Sequence, residues 1–232
     1  MLQFDILTIF PKMFDCYFNE SLIERAKKKG LIKIKIHNIR DWARDKHHTV
    51  DDRPYGGGPG MILKVEPIYR ALRALKIKNK TMPAGRQESK IKNNELVIIL
   101  DPAGKQFDQR MAEKFAKLKR IVLLCGRYEG FDHRVTQFVD ERISIGNYVL
   151  TGGELPAMII ADAVARLVPG VVGKKESLLE ETFAKKGYVE YPQYTRPENF
   201  INFKVPKILL SGDHKKIAKW KQKHTKNEKK SH

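Results

Sequence analysis

The chain has 232 residues, of which 41% are hydrophobic and 31% charged. This length and composition are typical of a globular protein with a buried core, and they exclude an intrinsically disordered chain. No apolar run reaches the roughly 18 residues of a membrane-spanning helix, and no secretory signal is predicted. The 45 Lys and Arg residues exceed the 27 Asp and Glu residues, which gives a net charge of +18 and favours nucleic acid as a partner.

The positive charge is concentrated near the C-terminus. From Lys204 onward the chain has ten lysines and only two acids, Asp213 and Glu228. The alternative is a Lys-rich surface that serves only solubility. The two cysteines, Cys16 and Cys125, lie far apart without metal or redox spacing, so we expect a reduced, cytoplasmic protein without a membrane partner.

Apolar periodicity predicts strands that alternate with helices along the chain. The predicted strands are 2–10, 31–36, 95–100, 120–125 and 142–145. The predicted helices are 14–30, 40–44, 65–75, 107–118, 134–138, 154–168, 206–210 and 213–223. Residues 45–60 form a glycine-rich loop, and 76–94 a polar, exposed insertion. The alternation indicates an α/β fold with a mostly parallel sheet and flanking helices.

Three glycine-bearing loops follow predicted strands, at 101–104, 126–130 and 145–153. Ligands of parallel sheets bind at the carboxyl ends of the strands, where these loops are expected to converge. Glycine has no Cβ, so main-chain groups in such loops can approach a ligand closely. The alternative is an ordinary tight connection between strand and helix.

Several common sites are absent from the sequence. There is no phosphate-binding loop with a Gly-Lys-Ser/Thr ending, and no Gly-x-Gly-x-x-Gly follows the first strand. The histidines have no metal-ligand spacing. Residues 51–60 combine two acids, an arginine, a tyrosine and four glycines, which favours a functional loop over a solvated turn.

Four segments resemble the bacterial tRNA (guanine-N1)-methyltransferase family, which methylates the guanosine just 3′ of the anticodon. They read TVDDRPYGGGPGM at 49–61, CGRYEG at 125–130, SIGNYVLTGGELPA at 144–157 and YTRP at 194–197. The resemblance extends from residue 1 to about residue 220. It implies a SPOUT fold with a trefoil knot, which general topology rules would not predict.

The resemblance also implies partners and cofactors. These are S-adenosylmethionine, Mg²⁺ as a further candidate, the anticodon stem-loop of tRNA, and a second copy of the chain in a homodimer whose active site lies between subunits. The cofactor-binding residues that it implies are Pro102, Gly104, Gly126, Tyr128, Glu129, Gly130, Ile145, Gly146, Asn147, Tyr148, Val149, Leu150, Gly152 and Gly153. The substrate-binding residues that it implies are Asp51, Asp52, Arg53, Tyr55 and Glu190.

The family uses an aspartate in a mobile lid as general base. This chain has Glu180-Glu181-Thr182-Phe183 there, so Glu181 is the implied catalytic base. Glutamate keeps the carboxylate that accepts the proton of guanine N1 but adds one methylene. Glu180 remains an alternative. Arg166 matches a family arginine suited to stabilise negative charge on guanine O6.

The expected domains are a methyltransferase domain at 1–168, a lid at 169–190 and a basic helical region at 191–232. Family members usually continue further, into a multi-helix domain that grips tRNA. The replacement of aspartate by Glu181 and the shortened end leave two alternatives open. One is an RNA-binding homologue with impaired catalysis, and the other is a SPOUT methyltransferase for another RNA position.

Overall fold

A parallel sheet of five strands forms the centre of the N-terminal part of the chain. In the computed structural model, residues 1–77, 94–173, 180–185 and 187–227 are described. The chain divides into two compact units, Met1–Gly173 and Lys174–His232. Most of the predicted insertion at 76–94 lies outside the described residues. Among the residues that are described, no helix combines the length and apolar character needed to cross a bilayer.

The sheet of the first unit has the strand order β2-β1-β6-β5-β7, and every neighbouring pair is parallel. Its strands are β1 (Leu2–Thr8), β2 (Ile32–Asn38), β5 (Glu95–Gln106), β6 (Arg120–Cys125) and β7 (Glu141–Ser144). A short antiparallel pair is formed by β3 (Asp51–Asp52) and β4 (Ile62–Leu63). The predicted α/β fold with a mostly parallel sheet is confirmed.

Helices cover both faces of the sheet. They are α1 (Asp15–Phe18), α2 (Ser21–Lys28), α3 (Val65–Ala74), α4 (Gln109–Phe115) and α5 (Glu154–Ala165), with 3-10 helices at Pro11–Phe14, Ile39–Trp42 and His133–Phe138. On β1, Phe4 and Ile6 enter one hydrophobic core, while Leu7 and the following Ile9 enter the other. Burial on both faces explains why the strands read as nearly continuous apolar runs.

The single helix predicted at 14–30 is wrong. The structure has a 3-10 helix and two short α-helices there, because Ser21 adopts a left-handed backbone with φ of 51° that interrupts the helix. Lys27 Nζ donates to the carbonyl of Phe18 at 3.0 Å and to Asn19 Oδ1 at 2.8 Å at this break. The apolar residues had the spacing of one helix because α1 and α2 pack against the same hydrophobic core.

The second unit consists of short elements. They are β8 (Tyr188–Val189), β9 (Asn199–Phe200), β10 (Phe203–Lys204), β11 (Lys226–Asn227), α6 (Lys207–Leu210) and α7 (His214–His224), and the pairs β8–β11 and β9–β10 are antiparallel. Asp213 caps α7 by accepting from the amides of Lys215 and Lys216 at 3.1 and 3.0 Å. The helices predicted at 206–210 and 213–223 are therefore confirmed within about one residue.

Strand β5 is longer than the predicted strand 95–100, because it pairs with β7 in two registers. Ile143 is paired with Leu100 and again with Lys105. Between these pairs the chain crosses closely over β7 at Gly104. A Cβ on Gly104 would lie 2.5 Å from both the carbonyl carbon of Arg142 and the amide nitrogen of Ile143.

We expect Gly104→Ala to lower the free energy of unfolding by about 2 kcal/mol or more, because the added methyl group meets main chain that cannot rotate away. Gly173→Ala is the matched control, since a Cβ there would have no atom within 4 Å. Chemical denaturation of both variants measures the difference. Equal stability of the two would contradict the close crossing.

Candidate active site

A cavity of about 430 Å³ opens where β6 and β7 end, beside residues 99–102 of β5. Two of the three predicted glycine-bearing loops, 126–130 and 145–153, meet there, as expected for the carboxyl edge of a parallel sheet. The third predicted loop, 101–104, is instead part of the longer strand β5, and only Asp101 and Pro102 of it reach the cavity. Residues 99–102, 126–133, 136, 142–146, 148–153 and 156 line the cavity. The fold therefore brings segments more than forty residues apart in sequence into one site.

Most of the predicted cofactor-binding residues line this one cavity. The members of that set that do so are Pro102, Gly126, Tyr128, Glu129, Gly130, Ile145, Gly146, Tyr148, Val149, Leu150, Gly152 and Gly153. Gly104 and Asn147 are not in the lining. Gly104 instead permits the crossing of β5 over β7.

Main-chain contacts join the loop after β6 to the loop before α5. The amide of Gly153 donates to the carbonyl of Gly126 at 2.9 Å. The backbones of Arg127 and Gly152 form an isolated antiparallel β-bridge. A Cβ on Gly153 would lie 2.7 Å from Cα of Cys125. These glycines are needed because two backbones pass each other without room for side chains.

A buried ion pair fastens the same loops. Glu154, in the first turn of α5, is 1% exposed, and its Oε2 accepts from Arg127 Nε at 2.9 Å. Its other oxygen accepts from Thr8 Oγ1 at 2.7 Å, at the end of β1. Arg127 also donates to the carbonyl of Thr151 at 3.2 Å and lies 4.7 Å from the ring centroid of Phe10. One arginine therefore holds the ends of two strands and the start of a helix together.

Cys125 lies beneath this ion pair and is not exposed. Burial, followed by the nearby carboxylate of Glu154, raises the pKa of the Cys125 thiol well above its usual value. The thiol therefore stays protonated, so Cys125 acts as a packing residue rather than a nucleophile.

The glycine-rich segment 49–61 reaches the rim of the cavity. Glu129 donates its amide to the carbonyl of Met61 at 3.0 Å. Gly60 has φ of 85°, and a Cβ there would lie 2.6 Å from Cγ of Glu129. Just after this segment, Leu63 forms an isolated parallel β-bridge with Phe131. The segment is thus attached to the cavity by its C-terminal end.

The predicted substrate-binding residues in this segment lie outside the cavity lining. Asp51 and Asp52 form β3, and Lys64 Nζ lies 3.7 Å from the carboxylate of Asp52. The amide of Arg53 donates to Asp52 Oδ1 at 2.8 Å, and Tyr55 is fully exposed. The exposed ring of Tyr55 is therefore accessible to a large ligand that approaches from outside.

Acidic side chains inside the cavity differ in their pairing. Asp101 accepts from Arg142 at 2.7 Å, and Asp132 accepts from Arg134 at 2.6 Å. The hydrogen bond from Arg134 holds the pKa of Asp132 below its usual range. Glu129 has no hydrogen-bond partner for its carboxylate among the described residues, so it is available to a cationic group of a ligand.

Across 1–77, 94–173, 180–185 and 187–227, no group of three or more His, Cys, Asp or Glu side chains is placed to hold a metal ion.

Arg166 is not among the residues of the first unit that line the cavity. Arg166 follows the last turn of α5 and donates its amide to the carbonyl of Asp162 at 3.1 Å. Glu181 and Glu190 belong to the second unit, where the carbonyl of Glu181 accepts from Ala184 at 2.9 Å. The amide of Glu190 donates to Thr182 Oγ1 at 3.1 Å.

The carboxylate of Glu180 has a hydrogen-bond partner within the second unit. The hydroxyl of Tyr191 donates to Glu180 Oε2 at 3.4 Å, and Lys221 Nζ lies 4.5 Å from the Tyr191 ring centroid. The hydrogen bond with Tyr191 also raises the pKa of Lys221. The carboxylate of Glu180 is therefore engaged by a tyrosine that packs under a lysine of α7.

The sequence did not predict part of the lining. Asp101, Arg127 and Thr151 lie in the three loops expected to converge on a ligand, although they were not in the cofactor-binding set. The lining residues outside those loops are 99–100, 131–133, 136, 142–144 and 156, and these were not predicted. Arg127 lies between Gly126 and Gly130, two predicted cofactor-binding residues of one motif, so its place in the motif indicated that it lines the site. Nothing in the sequence indicated that Arg142 lines the cavity, because its pairing with Asp101 depends on the alignment of β5 and β7.

Sequence comparison with known proteins supports the family that the four motifs resemble. Residues 2–232 match the family described as tRNA (Guanine-1)-methyltransferase TrmD. The chain is 52% identical to a tRNA (guanine-N(1)-)-methyltransferase of Dictyoglomus turgidum and 53% identical to one of Citrifermentans bemidjiense, over 96% of this chain and 84% of each relative. A Mycoplasmopsis synoviae protein of the same name is 48% identical, over 96% of this chain and 91% of its own length.

We expect Glu154→Gln to lower the free energy of unfolding by about 3 kcal/mol, because it leaves the charge of Arg127 without its buried partner. Glu113→Gln is the matched control. It breaks the more exposed Arg110–Glu113 pair, and we expect it to cost less than about 1 kcal/mol. Urea denaturation of both variants measures the two losses. Similar small losses would show that the buried pair does not fasten the loops.

Proposed function

We propose, because the chain belongs to the tRNA (guanine-1)-methyltransferase family, that it methylates N1 of the guanosine 3′-adjacent to the anticodon of tRNA. S-adenosylmethionine is the proposed methyl donor. The observation that carries the proposal is that the loops bearing two of the family-like motifs, 125–130 and 144–157, form one cavity. The third motif, at 49–61, is hydrogen-bonded to its rim.

The residues of the cavity fit S-adenosylmethionine. Its volume, about 430 Å³, is within the range usual for small-molecule sites. Main-chain groups of Gly126 and Gly152 can approach the nucleoside closely, and Ile145 and Leu150 offer apolar surface. The carboxylate of Glu129 is suited to the positive charge of the methionine end. When bound, the cofactor supplies an electrophilic methyl group on a sulfonium sulfur.

The chain itself must accept a proton. Guanine N1 is protonated at neutral pH, so its proton leaves as the bond to the methyl carbon forms and the carbon–sulfur bond breaks. We propose that the carboxylate of Glu181 takes this proton, because Glu181 stands where the family's lid has its aspartate. Glu180 is the alternative base. Arg166 is proposed to stabilise the negative charge that develops on guanine O6.

The remaining assignments are part of the same proposal. Asp51, Asp52, Arg53, Tyr55 and Glu190 are proposed to contact the RNA around the target guanosine. The segment 169–190 is proposed to act as a lid, and the basic region 191–232 to bind tRNA phosphates. The SPOUT knot, a supporting role for Mg²⁺ and a cytoplasmic location complete the expectations from the family.

We propose that the protein acts as a homodimer. Five large apolar side chains on the first unit are exposed and lie on or beside the 3-10 helix Pro11–Phe14 and α5: Phe10, Met13, Tyr17, Leu155 and Ile159. The 3-10 helix packs near α5. Burial, followed by the nearby carboxylate of Asp162 on α5, raises the pKa of the Tyr17 hydroxyl. An exposed apolar face of this kind favours association with a second copy.

The proposed activity is tested with tRNA transcripts that carry guanosine next to the anticodon. We expect N1-methylguanosine at that position when the protein and S-adenosylmethionine are added, detected by nucleoside mass spectrometry with mapping of the modified fragment. Methylation at a different nucleotide would indicate a different RNA position. Cofactor binding with no RNA product would indicate an impaired homologue.

We expect Glu181→Gln to reduce turnover at least about a hundredfold, because the amide cannot accept the proton, while cofactor affinity is unchanged. Glu180→Gln is the neighbouring control, and we expect it to retain most activity. Single-turnover methyl transfer and calorimetry measure the two quantities. Normal turnover in Glu181→Gln, or a larger loss in Glu180→Gln, would remove Glu181 as the base.

Mixed dimers test whether the base and the cavity come from different subunits. We expect equal amounts of Glu181→Gln and Leu150→Trp chains, each inactive alone, to recover about a quarter of the wild-type rate, because random pairing gives half heterodimers with one intact site each. The chains are mixed after reversible dissociation and assayed for methyl transfer. No recovery, with heterodimers detected by native mass spectrometry, would place both groups on one chain.

A further inference from the structure

A second groove in the first unit is lined mainly by arginine. Its volume is about 450 Å³, and its lining residues are Arg44, Glu66, Tyr69, Arg70 and Arg73. Three of these five side chains are permanently cationic at neutral pH. None of the five lines the cavity described above.

The arginines of the groove are not neutralised by carboxylates. Among the described residues, Arg44 and Arg73 have no ion-pair partner. Arg70 donates to the carbonyl of Trp42 at 3.0 Å, which fixes its orientation without cancelling its charge. The one acid of the groove is Glu66. The pKa of the nearby Arg134 guanidinium is raised mainly by its hydrogen bond with Asp132, and the carboxylate of Glu66 adds a smaller contribution.

The groove is built on a rigid base. The ring of Tyr69 packs against Phe138 with centroids 4.9 Å apart, and the guanidinium of Arg73 lies 5.9 Å from the Tyr69 ring centroid. Phe138 ends the 3-10 helix His133–Phe138, whose residues His133 and Thr136 line the methyl-transfer cavity. One short helix therefore connects the two sites.

We propose that the groove formed by Arg44, Arg70 and Arg73 binds the phosphate backbone of the RNA substrate, away from the nucleotide that is methylated. Guanidinium groups bind phosphate oxygens with two parallel hydrogen bonds, and their planar fork loses less entropy per hydrogen bond formed than an ammonium group does. A phosphodiester chain matches three cations along one groove better than a single small anion does. The identity of this polyanion as tRNA depends on the proposed function.

The proposal is tested by the salt dependence of RNA binding. Each cation that contacts a phosphate contributes about one unit to the slope of log affinity against log salt concentration. We expect the double variant Arg44→Gln/Arg73→Gln to bind a fluorescein-labelled tRNA transcript more weakly, with a slope smaller by about 2. Fluorescence anisotropy at several salt concentrations measures both quantities.

The matched control removes two cations elsewhere in the same unit. Lys33 and Lys35 are exposed on the edge strand β2 and lie outside the groove. We expect Lys33→Gln/Lys35→Gln to leave the slope nearly unchanged. An equal change of slope in both double variants would overturn the proposal, because it would reflect net charge alone. A shift of the groove variant from dimer to monomer in sedimentation would also overturn it, since the groove would then be a subunit interface.

Kinetics separate this proposal from the proposed function. We expect the groove variant to raise KM for tRNA rather than lower kcat, as for contacts made equally in the ground and transition states. Calorimetry is expected to show unchanged affinity for S-adenosylmethionine. If the wild-type protein formed no N1-methylguanosine, the proposed function would fail, while the change in salt slope would still test the groove.

Discussion

The ion pair between Arg127 and Glu154 is the interaction on which the cavity depends. It lies where strands β1 and β6 end and helix α5 begins, and it touches the backbone of the loop between them. A Cβ on Gly152 would lie 2.3 Å from Arg127 Nε, so the arginine and the glycine require each other. Since Glu154 is almost fully buried, its carboxylate is tolerated only because Arg127 and Thr8 each donate a hydrogen bond to it.

This construction explains how the cavity can offer main chain to a ligand at its glycines. The side chains that would fill the space are absent at Gly126, Gly152 and Gly153, and the charged side chain of Arg127 is turned into the ion pair. Such a site can bind a nucleoside through fixed amides and carbonyls, which need no reorganisation during the reaction. The chemical groups proposed for proton transfer come from a different part of the chain, the segment around Glu181.

The sequence predicted the fold class and two of the loops that line the cavity, 126–130 and 145–153, because both depend on local patterns. Apolar runs identified the strands, and glycines after them identified the loops that line the site. The pattern did not predict the break at Ser21, since the core contacts of both helical pieces keep the same spacing. It also did not predict the pairing of Arg127 with Glu154, because 27 residues separate them and only the fold brings them together. The groove of Arg44, Arg70 and Arg73 was missed for the same reason.

Calorimetric titration with S-adenosylmethionine tests the central claim most directly, namely that glycine main chain held by Arg127 and Glu154 forms the cofactor site. We expect the wild-type protein to bind, and Gly152→Ala to bind at least about tenfold more weakly, because its methyl group displaces Arg127. Gly173→Ala, where nothing surrounds the added methyl group, is expected to bind normally. Absence of binding in the wild-type protein, or full affinity in Gly152→Ala, would contradict the claim.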